Sequence, residues 1–450
     1  MDSARQSTHG DQSSSLIPED KLRFSTSAKA TILTHFRWVI CALLFFGMTK
    51  NYMDRQVLAV LKINLQHQFG WNEIQYGHLV FAFQTAYAMG MLVVGRFIDR
   101  LGTRVGYAVT IVFWSLASIA HGFMNSFGGF LVARFALGFG ESGVFPASLK
   151  AVAEWFPKKE RALATGIFNA GTNVGAALTP LLVPFIFARW GWRGCFFAVG
   201  ALGFVGLALW LWLYRPPEEH LHCSAEELQH IRSDVTESSG KFSVSEILRH
   251  RQTWAFVSGK FLIDPIWWFY LFWIPDFLER RHGLSLRQIG LPILIIYVLA
   301  DIGSVAGGWL SSFLLHRGKT VNLARKTALL VCAICVVPII FAARVNSVWA
   351  AVLLVGLAAA AHQGFSTNLL TLPSDMFPAR VVASVAGLGG AAGAFGGMLI
   401  AEVVAHILQW TGSYTIPFFI AGSAYLLALA VMQLLAPKLD VVRLAIAPTA

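Results

Sequence analysis

The sequence predicts an all-α membrane protein, with twelve transmembrane helices in two pseudo-symmetric six-helix bundles. Three observations predict it. The 450 residues are 56% hydrophobic and only 13% charged, with a mean hydropathy of +0.60, where a soluble protein carries about 25% charged residues. The apolar residues come in runs of about 20 or more, enough to cross a ~30 Å hydrocarbon core. The two halves also echo each other. Glu154-Trp-Phe-Pro157 leads to Gly166, Asp375-Met-Phe-Pro378 leads to Gly387 at the same spacing, and Ala162 corresponds to Ala383. A duplicated six-span unit places a binding site between the halves, near the membrane midplane.

In chain order, residues 1–36 are polar and Ser-rich, without the basic start and short apolar core of a signal peptide. They read as a disordered cytoplasmic tail. A first bundle, 37–214, follows, with spans at about 37–62, 76–98, 104–123, 128–150, 162–187 and 194–214. Residues 215–252 form a polar cytoplasmic linker with Pro216-Pro217 and clustered Glu. A second bundle, 253–436, has spans at about 253–279, 288–315, 325–343, 348–372, 382–408 and 415–436. Residues 437–450 form a second cytoplasmic tail.

The net charge is +11. Its basic residues concentrate in alternate connections: Arg100 and Arg104; Lys158, Lys159 and Arg161; the linker; then Arg317, Lys319, Arg325 and Lys326. The connections 122–128 and 409–414 hold none. That is the positive-inside pattern, so both termini are expected in the cytoplasm and no nucleic-acid partner is implied. Cys332 and Cys335 form a CxxC with no second pair inside an apolar run, which reads as packing rather than as redox or metal chemistry.

Charges inside the spans mark the candidate site. An Asp, Lys or Arg at mid-membrane is unfavourable by about 2.5–3.5 kcal/mol and normally faces a bundle interior or a watery cavity. Asp54 and Arg55 interrupt the first span, Arg134 and Glu141 the fourth, Lys260 and Asp264 the seventh. A planar guanidinium binds a carboxylate through two parallel bonds, so Arg55 is a candidate anion-binding cation; the alternative is that it neutralises Asp54. Arg134 and Glu141 are two turns apart on one face. They form a static ion pair, or Glu141 is free to gain and lose a proton. Lys260 and Asp264 are four apart and fit an intrahelical pair, and Pro265 breaks the backbone ladder beside them. Trp267, Trp268, Tyr270 and Trp273 crowd the next turns. Neutral polar groups within spans are Tyr52, Gln84, Tyr87, Asn169, Thr172, His362, Gln363, Ser366 and Asn368; each serves as an interhelical hydrogen bond or as a ligand contact.

The glycines of Gly387-Leu-Gly389-Gly390-Ala-Ala-Gly393 match a dinucleotide fingerprint but follow no strand, so they read as helix packing. Gly138, Gly140 and Gly143 read the same way. No P-loop, HExxH or nucleophile–base set is present. No enzyme activity, cofactor or metal is expected, and an ATP-driven pump has no support.

The run Gly95-Arg-Phe-Ile-Asp99-Arg100-Leu-Gly102-Thr-Arg104 follows the second span. It resembles the loop signature of the major facilitator superfamily. Asn51-Tyr52-x-Asp54-Arg55, Arg134-x6-Glu141, Glu154-Trp-Phe-Pro-Lys-Lys-Glu-Arg161 and Phe168-Asn169-x-Gly171 resemble the anion:cation symporter family within it. Lys260-Phe-Leu-Ile-Asp264-Pro through Pro275, and Ala361-His362-Gln363-Gly364, are similar to its hexuronate branch. The resemblance covers Arg37 to Leu435. It implies a monomeric inner-membrane symporter that takes up a sugar-acid anion, glucuronate or galacturonate, with H⁺. It assigns proton coupling to Asp54 and Glu141, and substrate contacts to Tyr52, Tyr87 and Thr172, although the family often has a longer amide at the last. Arg55, Gln84, Arg134, Asn169, Trp267, His362, Gln363, Ser366 and Asn368 complete the expected substrate set. Gly95, Asp99, Arg100, Gly102 and Arg104 form the expected gating loop. The rival expectations are another sugar acid such as galactonate, a tartrate-like dicarboxylate, or a transporter-like sensor.

Overall fold

A computed structural model describes residues 35–233 and 244–442. The expected tails fall outside the described residues at 1–34 and 443–450, as does 234–243 of the linker. The described residues are helical, with no strand among them. α1 (Phe36–Val60) turns at Leu61 into the short α2 (Lys62–Phe69). α3 (Glu73–His121) starts with a capping box, in which Asn72 and Gln75 each accept the other's backbone N–H. At ~1.5 Å per residue α3 is about 74 Å of helix, more than twice a ~30 Å membrane core. It breaks at Gly102, whose φ of 77° a side chain would strain. α4 (Phe127–Glu141) and α5 (Val144–Trp155) follow, then α6 (Lys158–Leu213), broken in turn at Gly191 with φ 64°.

The linker is not bare coil. It carries a 3-10 turn at Pro217–Glu219, α7 (Ala225–Arg232) and α8 (Val244–Leu248). Beyond it run α9 (Arg251–His282), α10 (Gly290–His316), α11 (Val321–Val336), α12 (Val348–Met376), α13 (Ala379–Thr411) and α14 (Thr415–Leu435).

Eight stretches of the described residues are long and apolar enough to cross a membrane, against twelve expected. Three features account for most of the difference. α1 carries Arg37, Lys50, Asp54 and Arg55. The expected 128–150 span is divided between α4 and α5, where Pro146 has no N–H to continue the ladder. Leu163–Leu213 counts once yet holds two expected spans.

α1 packs chiefly on α6, and α3 on α4 and α6. After the linker, α9 packs on α13 and α14, and α12 on α10 and α11. The tightest approaches are at glycine. Gly303 and Gly307 of α10 lie against the backbone of Ala360 and Gly364, where a Cβ has no room. The repeated acids do equivalent work in the two groups. Glu154 accepts from Thr103 Oγ1 at 2.6 Å and from the Tyr214 hydroxyl, and Asp375 accepts from Arg325 Nε at 2.8 Å.

The two groups meet through α13 on α3 and α10 on α6. One end of that seam holds a clasp of charges, buried except for Arg280. Lys62 Nζ lies 2.7 Å from Glu73 and 3.0 Å from Asp276. Arg280 bridges Asp276 at 2.8 Å and also reaches Glu73, and the Tyr414 hydroxyl binds Asp276. Gln409 accepts the Glu73 N–H at 3.1 Å, and Tyr76 donates to the Phe272 carbonyl at 3.0 Å. At the opposite end the linker grips the start of α1. Glu227 accepts the N–H groups of Phe36 and Arg37, each at 3.1 Å, and Arg37 Nε reaches Glu160 at 2.9 Å. Burial pushes the Glu160 carboxyl up, but hydrogen bonds from His230 and Arg37 outweigh it and hold it below the ordinary carboxylate range.

Candidate functional site

α1 carries the charged centre. Arg55 Nε donates to Glu141 Oε2 at 2.6 Å, with side chains only 2% and 0% exposed. Aromatic rings surround the guanidinium: Tyr52 at 4.6 Å, Tyr87 at 4.7 Å, Phe83 at 5.3 Å and Trp268 at 5.4 Å. Such faces attract a cation without neutralising it. Among the described residues only Nε is hydrogen-bonded, so the terminal Nη1/Nη2 fork keeps its carboxylate-binding geometry.

Arg55 does not neutralise Asp54. That carboxylate turns away, to the Lys50 ammonium one turn earlier and to the Ser118 hydroxyl at 2.7 Å. Nor do Arg134 and Glu141 pair. They share a face of α4, but Arg134 lies over the Phe83 ring at 5.0 Å, and its three nitrogens have no hydrogen-bond partner among the described residues. Three buried cations therefore face two buried carboxylates, leaving one positive charge in excess among side chains with almost no solvent exposure. An uncompensated buried charge is costly, and an anion would compensate it.

The second helix group answers with rings. Trp267 stacks on His362 at 4.9 Å and 13° and meets Tyr297 edge-on at 6.0 Å. His362 Nδ1 is 2.6 Å from the Tyr425 hydroxyl. A small void of about 10 Å³, room for about one water, lies between the groups, lined by Gln56 of α1 and by Trp267, Tyr270, Ile274, Ile296 and Tyr297 among others. Gln56 donates to the Tyr297 hydroxyl at 3.2 Å, while Gln56 Oε1 and the Tyr270 hydroxyl are buried without partners. The void is too small for a ring in this conformation, but it leaves two buried polar atoms for a partner to satisfy.

The structure thus gathers Tyr52, Arg55, Tyr87 and Glu141 into one cluster, and Trp267 and His362 into a second. Gln84 is fully buried with both amide atoms unpartnered. Thr172 is buried, and its neighbour Asn173 bonds Asp301 across the seam. Gln363 and Ser366 are half-buried, and Asn169 is exposed. Asn368 donates to the carbonyls of Gly307 and Gly364, tying α10 to α12. In the loop, Gly102 supplies the positive-φ turn. Arg104 Nη2 donates to the Leu211 carbonyl at 2.6 Å, Gly95 has open space around it, and Arg100 is exposed. The Asp99 side chain lies outside the described residues.

Six residues at the site were not among the expected contacts: Lys50, Gln56, Phe83, Trp268, Tyr270 and Tyr297. Lys50 is four residues before Asp54, a spacing that signals an intrahelical pair. Gln56 and Tyr297 sit on different groups and meet only in the folded chain.

Comparison with known proteins places these features in context. The profile of the Major Facilitator Superfamily matches residues 44–401. The hexuronate transporter of Escherichia coli K12 is 33% identical over 383 residues, covering 84% of this chain and 88% of that protein. The galacturonate transporter of Dickeya chrysanthemi is 35% identical over 292 residues, covering 64% of this chain and 84% of that protein. Among solved structures, a bacterial homolog of the human lysosomal transporter Spinster, inward-facing and unoccupied, superposes with a TM-score of 0.69. It is 19% identical and covers 89% of this chain and 98% of its own.

Proposed function

We propose a cargo and a cycle from one premise: the chain belongs to the Major Facilitator Superfamily, and it is a multi-pass membrane transporter. The cargo is a hexuronate, glucuronate or galacturonate, imported with protons across the bacterial inner membrane by alternating access. The observation that carries this reading is the Arg55 guanidinium. It is buried and ringed by aromatic faces, it sits in a pocket with one positive charge in excess, and its terminal fork is unengaged. That arrangement suits one carboxylate, and the nearby Gln56 Oε1 and Tyr270 hydroxyl, buried without partners, suit sugar hydroxyls once the two groups part. The names of the two relatives, a hexuronate and a galacturonate transporter, support the same cargo.

The chain crosses the membrane twelve times, with α3 and α6 each contributing two crossings, in bundles 37–214 and 253–436 joined by the cytoplasmic linker 215–252. The basic loops and both termini face the cytoplasm. The clasp of Lys62, Glu73, Asp276 and Arg280 then closes the outward face, and the site opens inward.

Coupling follows from the sharing of Arg55. When Glu141 takes up a proton it ceases to attract Arg55, and the guanidinium turns to the substrate carboxylate. When the substrate leaves, Arg55 returns to Glu141 and the proton departs. Asp54 keeps its own cation in Lys50, so Glu141 is the acid that answers directly to cargo.

The test is uptake of labelled glucuronate and galacturonate into proteoliposomes under imposed H⁺ or Na⁺ gradients. Accumulation driven by an inward proton gradient is expected. Uptake that follows Na⁺ and ignores pH would overturn the coupling, and indifference to both uronates would overturn the cargo.

A further inference from the structure

One ion pair at the seam remains without a role. Lys260 Nζ lies 2.7 Å from Asp264 Oδ2, one turn away on α9, with side chains 11% and 18% exposed. Both therefore border accessible space deep within a span. Asp264 is within electrostatic reach of Tyr52 across the seam, and Lys260 of His362. Gly393 of α13 leaves room for the Asp264 carboxylate, which any larger residue there would displace. Lys260, Asp264 and Trp268 recur every four residues and form one stripe of α9. The Trp268 ring at its upper end lies over Arg55. Each step along the stripe is about 6 Å, so the pair sits one to two turns from Arg55's aromatic box, a separation of the order of a sugar ring's length.

We propose that the Lys260–Asp264 pair is a specificity determinant. It binds the uncharged, hydroxyl-bearing end of a sugar acid held by Arg55, and through Asp264 it rejects cargoes that carry a second carboxylate. The inference rests on the sugar-acid reading above and adds to it which sugar acids are refused. The chemistry follows from the pair's inventory. One Asp264 oxygen is engaged by Lys260, and the other accepts from a hydroxyl. The ammonium has three donors and spends one on Asp264, leaving two for hydroxyl oxygens. The pair is neutral as a unit, so it offers no net attraction to a second anion. A carboxylate arriving at this end meets Asp264 as a like charge in a poorly hydrated site, a repulsive element of the kind that creates specificity. Without Asp264, Lys260 becomes a second free cation and the preference inverts.

The experiment is competition against labelled galacturonate uptake in proteoliposomes. The competitors are unlabelled galacturonate and galactarate, which shares the carbon skeleton but ends in a second carboxylate. The parent protein is expected to be inhibited at least about tenfold more weakly by galactarate. Asp264→Asn shifts the ratio of the two inhibition constants by about tenfold toward galactarate, and Lys260→Met combined with Asp264→Asn abolishes that gain. Asp264→Ser repeats the measurement should the Asn variant fail to reach the membrane. A ratio unchanged in Asp264→Asn or Asp264→Ser, with inhibition by both acids weakening together, shows a merely structural pair and overturns the proposal. So does a parent protein that accepts galactarate as readily as galacturonate. A parent protein that moves no uronate at all overturns the sugar-acid reading, and this inference with it.

Discussion

The two helix groups face the same seam with different chemistry. The first group presents charge: Lys50, Asp54, Arg55, Arg134 and Glu141 are all at most 2% exposed. The second presents rings and neutral polar groups near the centre, with Trp267, His362, Tyr270, Tyr297 and Tyr425 in contact or near contact and one self-neutralised pair, Lys260–Asp264; its other seam charges are Asp301, bound by Asn173, and Asp276 and Arg280 in the clasp. The difference teaches how the work of such a site is divided. In the proposed cycle, moving a proton together with an anion requires charges whose partners change. Telling one sugar from another requires surfaces that stay put. In the proposed cycle, separating the tasks between the two groups lets one change state while the other holds its shape.

The division is broken most severely at Arg55. Arg55→Lys keeps the charge but loses the fork, and a charge-assisted contact worth ~2–3 kcal/mol is lost. Uptake at low substrate should fall by about a hundredfold, since each ~1.4 kcal/mol is a decade. Unaltered uptake kinetics would remove Arg55 from the site.

On the ring side the expected effect is smaller and of a different kind. Trp267→Phe keeps an aromatic face but reduces its area, and contacts of this type are worth ~0.5–1.5 kcal/mol. KM for the uronate should rise by up to about tenfold, with the dependence on proton gradient unchanged. A shift in the pH dependence of uptake would show that the ring side also takes part in coupling.

The clasp sharpens the comparison from outside the site. Glu73→Gln removes one charge but leaves the Lys62–Asp276 contact at 3.0 Å. The outward-open state should gain about threefold in population, for a loss near ~0.7 kcal/mol. The readout is labelling of Leu79→Cys, one turn beyond Tyr76, by an impermeant thiol reagent. An unchanged rate would mean that the clasp does not hold the two groups together.

The smallest effect concerns the linker grip. Glu160 titrates below the ordinary carboxylate range in the folded chain. The stability it contributes is therefore complete above the unfolded value of ~4.3 and disappears as pH falls through the folded one. Limited proteolysis of the linker should accelerate modestly below about pH 4 in the parent protein, and Glu160→Gln should remove that dependence. Equal acceleration in both would place the acid-sensitive contact elsewhere.

Much of the fold was legible because membrane helices announce themselves by length and apolarity. The acid-Phe-Pro repeat pointed to two groups built alike; Glu154 accepts from Thr103 and Asp375 from Arg325. The charged positions were legible because charge in a span is rare. Their pairing was not. Arg55 has Asp54 beside it in sequence but Glu141 in space, since adjacent helical residues point about 100° apart. Arg134 and Glu141 lie on one face, yet a seven-residue spacing separates them by ~10 Å of helix. The small void between the groups was least legible. Gln56, Tyr270 and Tyr297 come from three helices in two groups, and only the packing of the groups brings them together.

The central claim is that Glu141 exchanges Arg55 and a proton with the cargo. It is tested most directly by comparing uphill accumulation with counterflow in Glu141→Gln. The amide keeps the shape and cannot titrate. The account predicts that a proton gradient no longer drives accumulation of labelled galacturonate, while exchange of labelled for unlabelled galacturonate across the membrane persists. Full pH-driven accumulation in that variant would contradict it.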